Sequence, residues 1–201
     1  MRFFLLLVIL CMPGAASAAT PLSHALFAGG NFWAVQEVFD QTAGVDHTIA
    51  GYTGGIIANP SYLQVSRGDT GHRQAVMVFF DPRIVSYESL LATYWHNIDP
   101  MNGEGQFCDK GFAFTPAIYY EGVTQQYAAL QSKSLIEADS ARMGDKRAAV
   151  QILPAGAFYP AESHHQRYYE KNPLRYRFYV SRCGRSQRLF DLWGREAQDG
   201  N

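Results

Sequence analysis

The spacing of hydrophobic and polar residues along the chain predicts a regular alternation of strands and helices. Short apolar runs rich in β-branched and aromatic residues predict strands at residues 24–28, 45–52, 75–80, 115–120 and 148–153. Apolar residues three and four apart predict helices over residues 31–39, 86–97 and 124–141. Ser86 is the expected cap of the second helix, since a serine hydroxyl can accept from an unpaired N–H of the first turn.

This order of elements predicts an α/β (α+β) fold, a two-layer sandwich with a mixed or antiparallel sheet packed by helices and a ferredoxin-like core. The segment from Ala155 onward lacks a clean period, so it is expected to wrap the core as a long irregular tail of loops and short helices. The chain has 201 residues, 47% of them hydrophobic, which suits one globular domain. Its net charge of -1 gives no general attraction to nucleic acid, so no such partner is expected, and we expect a monomer.

The N-terminus has the pattern of a secretory signal. Arg2 precedes an apolar run over residues 3–12, and Ala16-Ser17-Ala18 then offers the small residues of a cleavage site. The apolar run is about half of the roughly 20 residues that a transmembrane helix needs. The sequence therefore predicts a signal peptide at residues 1–18, a single domain at residues 19–201 and an exported protein, periplasmic or secreted.

Cleavage would leave two cysteines, Cys108 and Cys183. An oxidising compartment permits a disulfide between them, but two separate thiols, one or both buried, fit the sequence equally well. His72, His164, His165 and Glu162 fit no closed zinc spacing, so no metal site is expected.

Residue 31 stands where a predicted strand passes through Gly29-Gly30 into a helix. Backbone N–H groups at such a helix start stabilise negative charge, and a cysteine there would be a reactive thiolate. The residue is Asn31, however, and asparagine is also a favourable helix cap, so a purely structural role is the alternative. Phe32 and Trp33 follow directly and could form the wall of a small apolar pocket.

The Gly29-Gly30-Asn31-Phe32-Trp33 string resembles the Gly-Cys-Phe-Trp signature of the A-type peptide methionine sulfoxide reductases, with Asn31 in place of the cysteine. Further matching strings follow in the family's order, at residues 51–55, 59–62, 68–72, 105–111, 160–162, 165–166 and 171–173. The resemblance thus covers roughly residues 25–185, nearly the whole mature chain.

The resemblance implies a thiol-dependent reduction of methionine S-sulfoxide in proteins and peptides. In that reaction a thiolate attacks the sulfoxide sulfur while neighbouring groups protonate the departing oxygen. A second cysteine resolves the resulting sulfenic acid as a disulfide, and thioredoxin or another dithiol restores the thiols. Oxidised proteins and a thioredoxin-like reductant are thus the implied partners, and no bound cofactor is implied.

Three positions of the family's catalytic machinery are substituted in this chain. The nucleophile position is Asn31, the position of the acid that protonates the oxygen is Gln74, and one of two oxygen-binding tyrosines is replaced by Phe114. An amide cannot act as a thiolate, and a glutamine has no acidic proton to transfer. The sequence therefore predicts a protein that is inactive by the family mechanism.

Other positions of the family's site are retained. Phe32 and Trp33 match the residues that receive the substrate methyl group, Tyr62 matches the second oxygen-binding tyrosine, and Asp109 matches a further site position. Binding of methionine or methionine sulfoxide is therefore expected to survive the loss of catalysis.

Two alternatives to a non-catalytic binding protein stay open. One is an active reductase that uses Cys108 or Cys183, with Cys183 in the tail region that commonly holds the family's resolving thiol. The other is an interaction protein of the cell envelope. It would use the basic and tyrosine-rich part of the tail at residues 167–188, in which Glu170 alone opposes Arg167, Lys171, Arg175, Arg177, Arg182, Arg185 and Arg188.

Overall fold

The computed structural model describes residues 21–194, so the predicted signal peptide lies outside the described residues. The strands are β1 Ser23–Ala28, β2 Val45–Thr53, β3 Arg73–Phe80, β4 Gly105–Gln106, β5 Asp109–Lys110, β6 Ala117–Tyr120, β7 Gln151–Pro154 and β8 Phe158–Pro160. The helices are α1 Phe32–Asp40, α2 Tyr62–Ser66, α3 Tyr87–His96, α4 Gly122–Ala138, α5 Ser140–Met143, α6 Tyr168–Lys171, α7 Pro173–Arg182 and α8 Arg185–Trp193. A 3-10 turn, Phe112–Phe114, lies between β5 and β6.

Six strands form one mixed sheet in the order β7-β6-β1-β3-β2-β8, while β4 and β5 form a separate small hairpin. The four central strands are antiparallel, and β1 lies between β3 and β6. Together with α1 and α3 they have the β-α-β-β-α-β order of a ferredoxin-like core, as predicted. At the sheet edges β7 runs parallel to β6, and β8 runs antiparallel to β2.

Alternation along the strands divides the hydrophobic residues between the two faces of the sheet. On the helix-covered face Phe27 stacks on Phe39 of α1 and on Tyr94 of α3, with ring centroids 4.9 and 5.2 Å apart. The opposite face carries a smaller cluster that includes Leu26 and Tyr119. The sheet curls around this second cluster, which explains how Arg73 of β3 can bond to a side chain of β7.

Most predicted elements are present, with shifted ends. Ser86 caps α3 as expected, and its hydroxyl accepts from the Ser89 N–H at 3.1 Å. The predicted helix over residues 124–141 is interrupted at Asp139, where the backbone leaves helical geometry and the side chain caps α5. The short helix α2 was not predicted.

The tail is more ordered than its sequence pattern suggests. It contains the three short helices α6, α7 and α8, as expected, but it also supplies β8 to the sheet edge. A three-residue strand that ends in Pro160 gives no alternating pattern, which is why it was missed. Of the helices within residues 21–194, none combines the length and apolarity that crossing a membrane would require.

Candidate functional site

Asn31 lies at the start of α1, directly after β1 and the Gly29-Gly30 turn. Gly30 has a φ of 96°, and a Cβ there would lie 2.7 Å from the Gln106 Cβ, so only glycine fits this turn. Asn31 is 6% exposed, and its Oδ1 accepts from the Trp33 N–H at 3.0 Å. Asn31 therefore has the structural role that its sequence position allows, because its side chain caps helix α1.

Gln74 lies beside this helix start. It is wholly buried on β3, where its Oε1 accepts from the Phe32 N–H at 3.2 Å and its Nε2 donates to the Ser66 Oγ at 3.5 Å. The Tyr62 hydroxyl lies near the Ser66 and Gln74 side chains. Burial raises its pKa, and hydrogen bonds with Ser66 and Gln74 partly offset that rise.

Asp109, on strand β5, also lies near Asn31. Burial raises the pKa of its carboxyl, and hydrogen bonds from the Tyr179 hydroxyl and the Asn31 amide, together with the Arg185 guanidinium, act in the opposite direction. Tyr179 donates to the Asp109 Oδ2 from helix α7. Helix α7 of the tail thus contacts the site at Asp109, the residue that follows Cys108.

Cys108 and Cys183 form a disulfide, with their Cα atoms 4.8 Å apart. Of the two alternatives, a disulfide or two separate thiols, the structure therefore contains the disulfide. The two sulfurs and a carboxylate oxygen of Asp109 all lie within 4.8 Å of one another. In this state neither cysteine is a free thiolate, so neither could act as a nucleophile or as a metal ligand.

An aromatic cluster surrounds the start of α1. Phe32 is wholly buried, whereas Trp33 and Tyr62 are half-buried and their rings are parallel, with centroids 6.4 Å apart. The rings of Tyr168 and His165 also contact Trp33. Tyr168 of α6 stacks on Trp33 at 3.7 Å, and the His165 Nδ1 accepts from the Trp33 Nε1–H at 3.2 Å.

His165 and Tyr168 were missed as site residues. The His165-Gln166 string served only as a motif match, and Tyr168 belongs to a tail without a period. Burial, followed by the nearby His164, lowers the pKa of the His165 imidazole. This favours the neutral ring, which can accept the Trp33 hydrogen bond.

Phe114 lies on the 3-10 turn between β5 and β6 and packs, half-buried, against the main hydrophobic core. Its phenyl ring supplies no hydroxyl to the site.

Glu162 anchors the Tyr62 end of the site. One carboxylate oxygen accepts from the Tyr62 N–H at 2.9 Å, and the other accepts from the Tyr52 hydroxyl at 2.8 Å. Burial by itself would raise the pKa of Glu162, but these hydrogen bonds outweigh it and lower the pKa. The folded state therefore favours the ionised carboxylate, which holds the start of α2 against β2 and the tail.

We expect Glu162→Gln to lower the free energy of unfolding at pH 7 by about 1–3 kcal/mol, because one donor loses its acceptor. The native pKa of Glu162 is lowered, so its stabilisation is complete above the unfolded pKa and is lost as pH falls through the folded pKa. The variant should consequently lose less stability than the parent between pH 5 and pH 3. Urea unfolding at each pH measures both effects, and the exposed Glu104→Gln is the matched control. Equal acid sensitivity in parent and E162Q would contradict the expectation.

Comparison with known proteins places these residues in one family. The family model described as peptide methionine sulfoxide reductase matches residues 23–197. The chain is 42% identical over 197 residues to peptide methionine sulfoxide reductase MsrA 2 of Rhizobium meliloti, covering 98% of this chain and 95% of the relative. It is 38% identical over 174 residues to MsrA of Halalkalibacterium halodurans, covering 87% of this chain and 98% of the relative.

A solved structure gives the same result. Methionine sulfoxide reductase A of Corynebacterium diphtheriae superposes with a TM-score of 0.73 at 32% identity, covering 78% of this chain and 77% of that chain. Sequence and fold agree over nearly the whole described chain, and the helix start with Phe32 and Trp33 lies within the matched region. The chain belongs to the peptide methionine sulfoxide reductase family.

Proposed function

We propose that this protein binds methionine or methionine S-sulfoxide side chains of other proteins and does not reduce them by the family's thiolate mechanism. The observation that carries this proposal is the state of Asn31. Its Oδ1 caps α1 by accepting from the Trp33 N–H at 3.0 Å, and the residue is buried. A buried amide held as a helix cap leaves no nucleophile at the helix start.

The surrounding groups support the same conclusion. Attack on a sulfoxide forms a sulfur–sulfur bond and requires that the departing oxygen take up protons. Gln74 can donate a hydrogen bond through its amide but cannot release a proton at neutral pH. Phe114 adds no hydroxyl, so of the two oxygen-binding positions only Tyr62 retains one.

The aromatic cluster supports binding. Methionine sulfur makes favourable contacts with aromatic rings, each worth about 0.3–1.5 kcal/mol. Trp33, Tyr62 and Tyr168 are half-buried and reach the surface above the buried Phe32. Because Tyr168 covers one face of Trp33, a ligand would contact the remaining Trp33 surface and the Tyr62 ring.

Calorimetry on residues 19–201 tests the proposal. A short peptide that contains methionine S-sulfoxide should give heat that saturates at millimolar peptide, with a Kd of about 1 mM, because only two or three ring contacts contribute. Trp33→Ala should weaken binding at least fivefold, whereas Phe178→Ala removes an exposed ring of α7 and should leave it unchanged. Absence of saturable heat at millimolar peptide would overturn the binding proposal.

A second candidate is a reductase that uses the tail disulfide. The observation that favours it is the position of both sulfurs beside Asp109, the neighbour of Asn31. After reduction by a dithiol, one thiolate would attack the sulfoxide sulfur, the oxygen would leave as water, and the disulfide would form again. A thioredoxin-like protein is the proposed source of the two electrons. Turnover of methionine S-sulfoxide that is lost in Cys108→Ala/Cys183→Ala would establish this candidate, and no turnover would exclude it.

We further propose that residues 1–18 direct export and that the mature chain begins near Ala19. The short apolar run and the Ala16-Ser17-Ala18 string support this. The mass of the protein recovered outside the cytoplasm would show whether cleavage occurs there.

A further inference from the structure

Arg73 is a buried cation that the methionine site does not use. It precedes Gln74 on β3, and because successive strand residues point to opposite faces, it lies on the other side of the sheet from α1. Its side chain enters the second cluster, where it contacts Tyr119, and the residue is only 4% exposed.

Three N–H groups of the Arg73 guanidinium donate hydrogen bonds to uncharged oxygens. Nε donates to the Thr115 Oγ1 at 2.7 Å, one terminal nitrogen donates to the Tyr119 hydroxyl at 3.1 Å, and the other donates to the Gln151 Oε1 at 2.5 Å. The Phe112 ring covers the group, with its centroid 4.4 Å from the Arg73 Cζ. Within residues 21–194 no carboxylate forms an ion pair with Arg73.

An unpaired charge in such a place is costly. Removing a charged group from water without an opposite charge costs several kcal/mol, so buried arginines are normally paired. The positive charge of Arg73 is delocalised over a planar guanidinium. The site therefore lacks a negative counter-charge, which a bound anion would supply.

A cavity of about 140 Å³ adjoins the guanidinium. Its lining consists of Arg73, Gly103, Phe112, Thr115, Pro116, Ala149 and Gln151. No acidic side chain contributes to this lining, so no carboxylate of the cavity would repel an anion. A guanidinium has five N–H groups, of which two remain after the three bonds to neutral oxygens. The Gln151 side chain presents its oxygen to Arg73, so its amide nitrogen is a further donor.

We infer that this cavity is a binding site for a small oxyanion, with Arg73 as its charged ligand and Gln151 as a second donor. The planar guanidinium matches carboxylate and phosphate oxygens, and the apolar walls of Phe112 and Pro116 strengthen the attraction by excluding water. The anion could be a carboxylate of a peptide or a free inorganic ion, since both present the same pair of oxygens. The inference does not depend on the methionine site, which lies across the sheet.

Thermal unfolding of the parent protein with added anions tests the site at constant ionic strength. Acetate, N-acetylglycine and its amide form one series, and phosphate and sulfate form the other, each compared with chloride. At tenfold excess over Kd a specific anion should raise Tm by about 3–6 °C, whereas the amide should have no effect. A response to carboxylates alone identifies a carboxylate site, and a response to phosphate or sulfate alone identifies an inorganic-anion site.

Two substitutions localise the effect. Arg73→Gln should abolish the anion-dependent rise in Tm, whereas Arg83→Gln, an exposed arginine paired with Asp81, should retain it. Should R73Q fail to fold, Arg73→Lys keeps the charge but loses the planar fork, and it should bind at least tenfold more weakly. Equal Tm values of the parent in chloride and in every oxyanion, or an undiminished response in R73Q or R73K, would overturn the inference.

Discussion

Asn31→Cys/Gln74→Glu/Phe114→Tyr is expected to reduce methionine S-sulfoxide in the presence of a dithiol. The first substitution places a thiol at the start of α1, where backbone N–H groups and the helix dipole stabilise the thiolate. The second supplies a carboxyl group at a wholly buried position, where burial raises the pKa and keeps a proton available for transfer. The third restores a hydroxyl for the sulfoxide oxygen.

Variants that carry only part of these substitutions should separate the contributions. Asn31→Cys alone recovers the nucleophile, but it should turn over about 100- to 10,000-fold more slowly than the triple variant, since acid catalysis contributes that factor. Gln74→Glu/Phe114→Tyr without the thiol should show no turnover by this route. A labelled methionine S-sulfoxide with excess dithiol gives the rates.

Asn31→Ser/Gln74→Glu/Phe114→Tyr is the matched control for the triple variant. Serine keeps a helix cap at residue 31 but offers a weak nucleophile, so this variant should fold and stay inactive. A folded triple variant with no activity would show that the aromatic cluster no longer positions a sulfoxide. Activity of the unmodified parent would instead contradict the non-catalytic proposal.

The hydrophobic pattern was sufficient for the central layers of the fold. Residues of β1, β2 and β3 alternate or form continuous apolar runs because one or both faces are buried, and this leaves a direct signal in the sequence. The cap of α1 was also predictable, since it depends on a local bond between Asn31 and Trp33. The family resemblance then brought Gln74 and Asp109 to the same helix start, which spacing alone could not do.

Long-range contacts of the tail were not predictable from local pattern. Tyr168 stacks on a ring that lies 135 positions earlier (168 − 33), and no periodic signal records such a contact. The burial of Arg73 was not predictable either, because a charged residue next to Gln74 suggests a solvated strand end. The curl of the sheet, which encloses its guanidinium, appears only in three dimensions.

The disulfide gives the second large expected effect. Cys108→Ser/Cys183→Ser should lower the free energy of unfolding by about 4–5 kcal/mol, which is the loop entropy for cysteines 75 residues apart. For a domain of this size the corresponding fall in Tm is roughly 10–15 °C. Cys108 is exposed, so a dithiol should reach the bond and produce the same shift in the parent.

Unfolding of C108S/C183S and unfolding of the dithiol-treated parent together show whether the disulfide is required to dock the tail. Noncovalent contacts also hold the tail, among them the bond from Tyr176 to Glu37 and that from the Trp193 Nε1–H to the Ile98 carbonyl. If these noncovalent contacts suffice to hold the tail in the chain without the disulfide, C108S/C183S should unfold in one transition at the lower Tm, with no further response to dithiol. If the disulfide is required for docking, α7 and α8 should become protease-sensitive below that Tm, and binding at Trp33 should weaken because Tyr179 no longer holds Asp109.

A fall of less than about 1 kcal/mol in the free energy of unfolding in both experiments would contradict the expected stabilisation. It would show that the reduced, unfolded chain is already constrained near the crosslink.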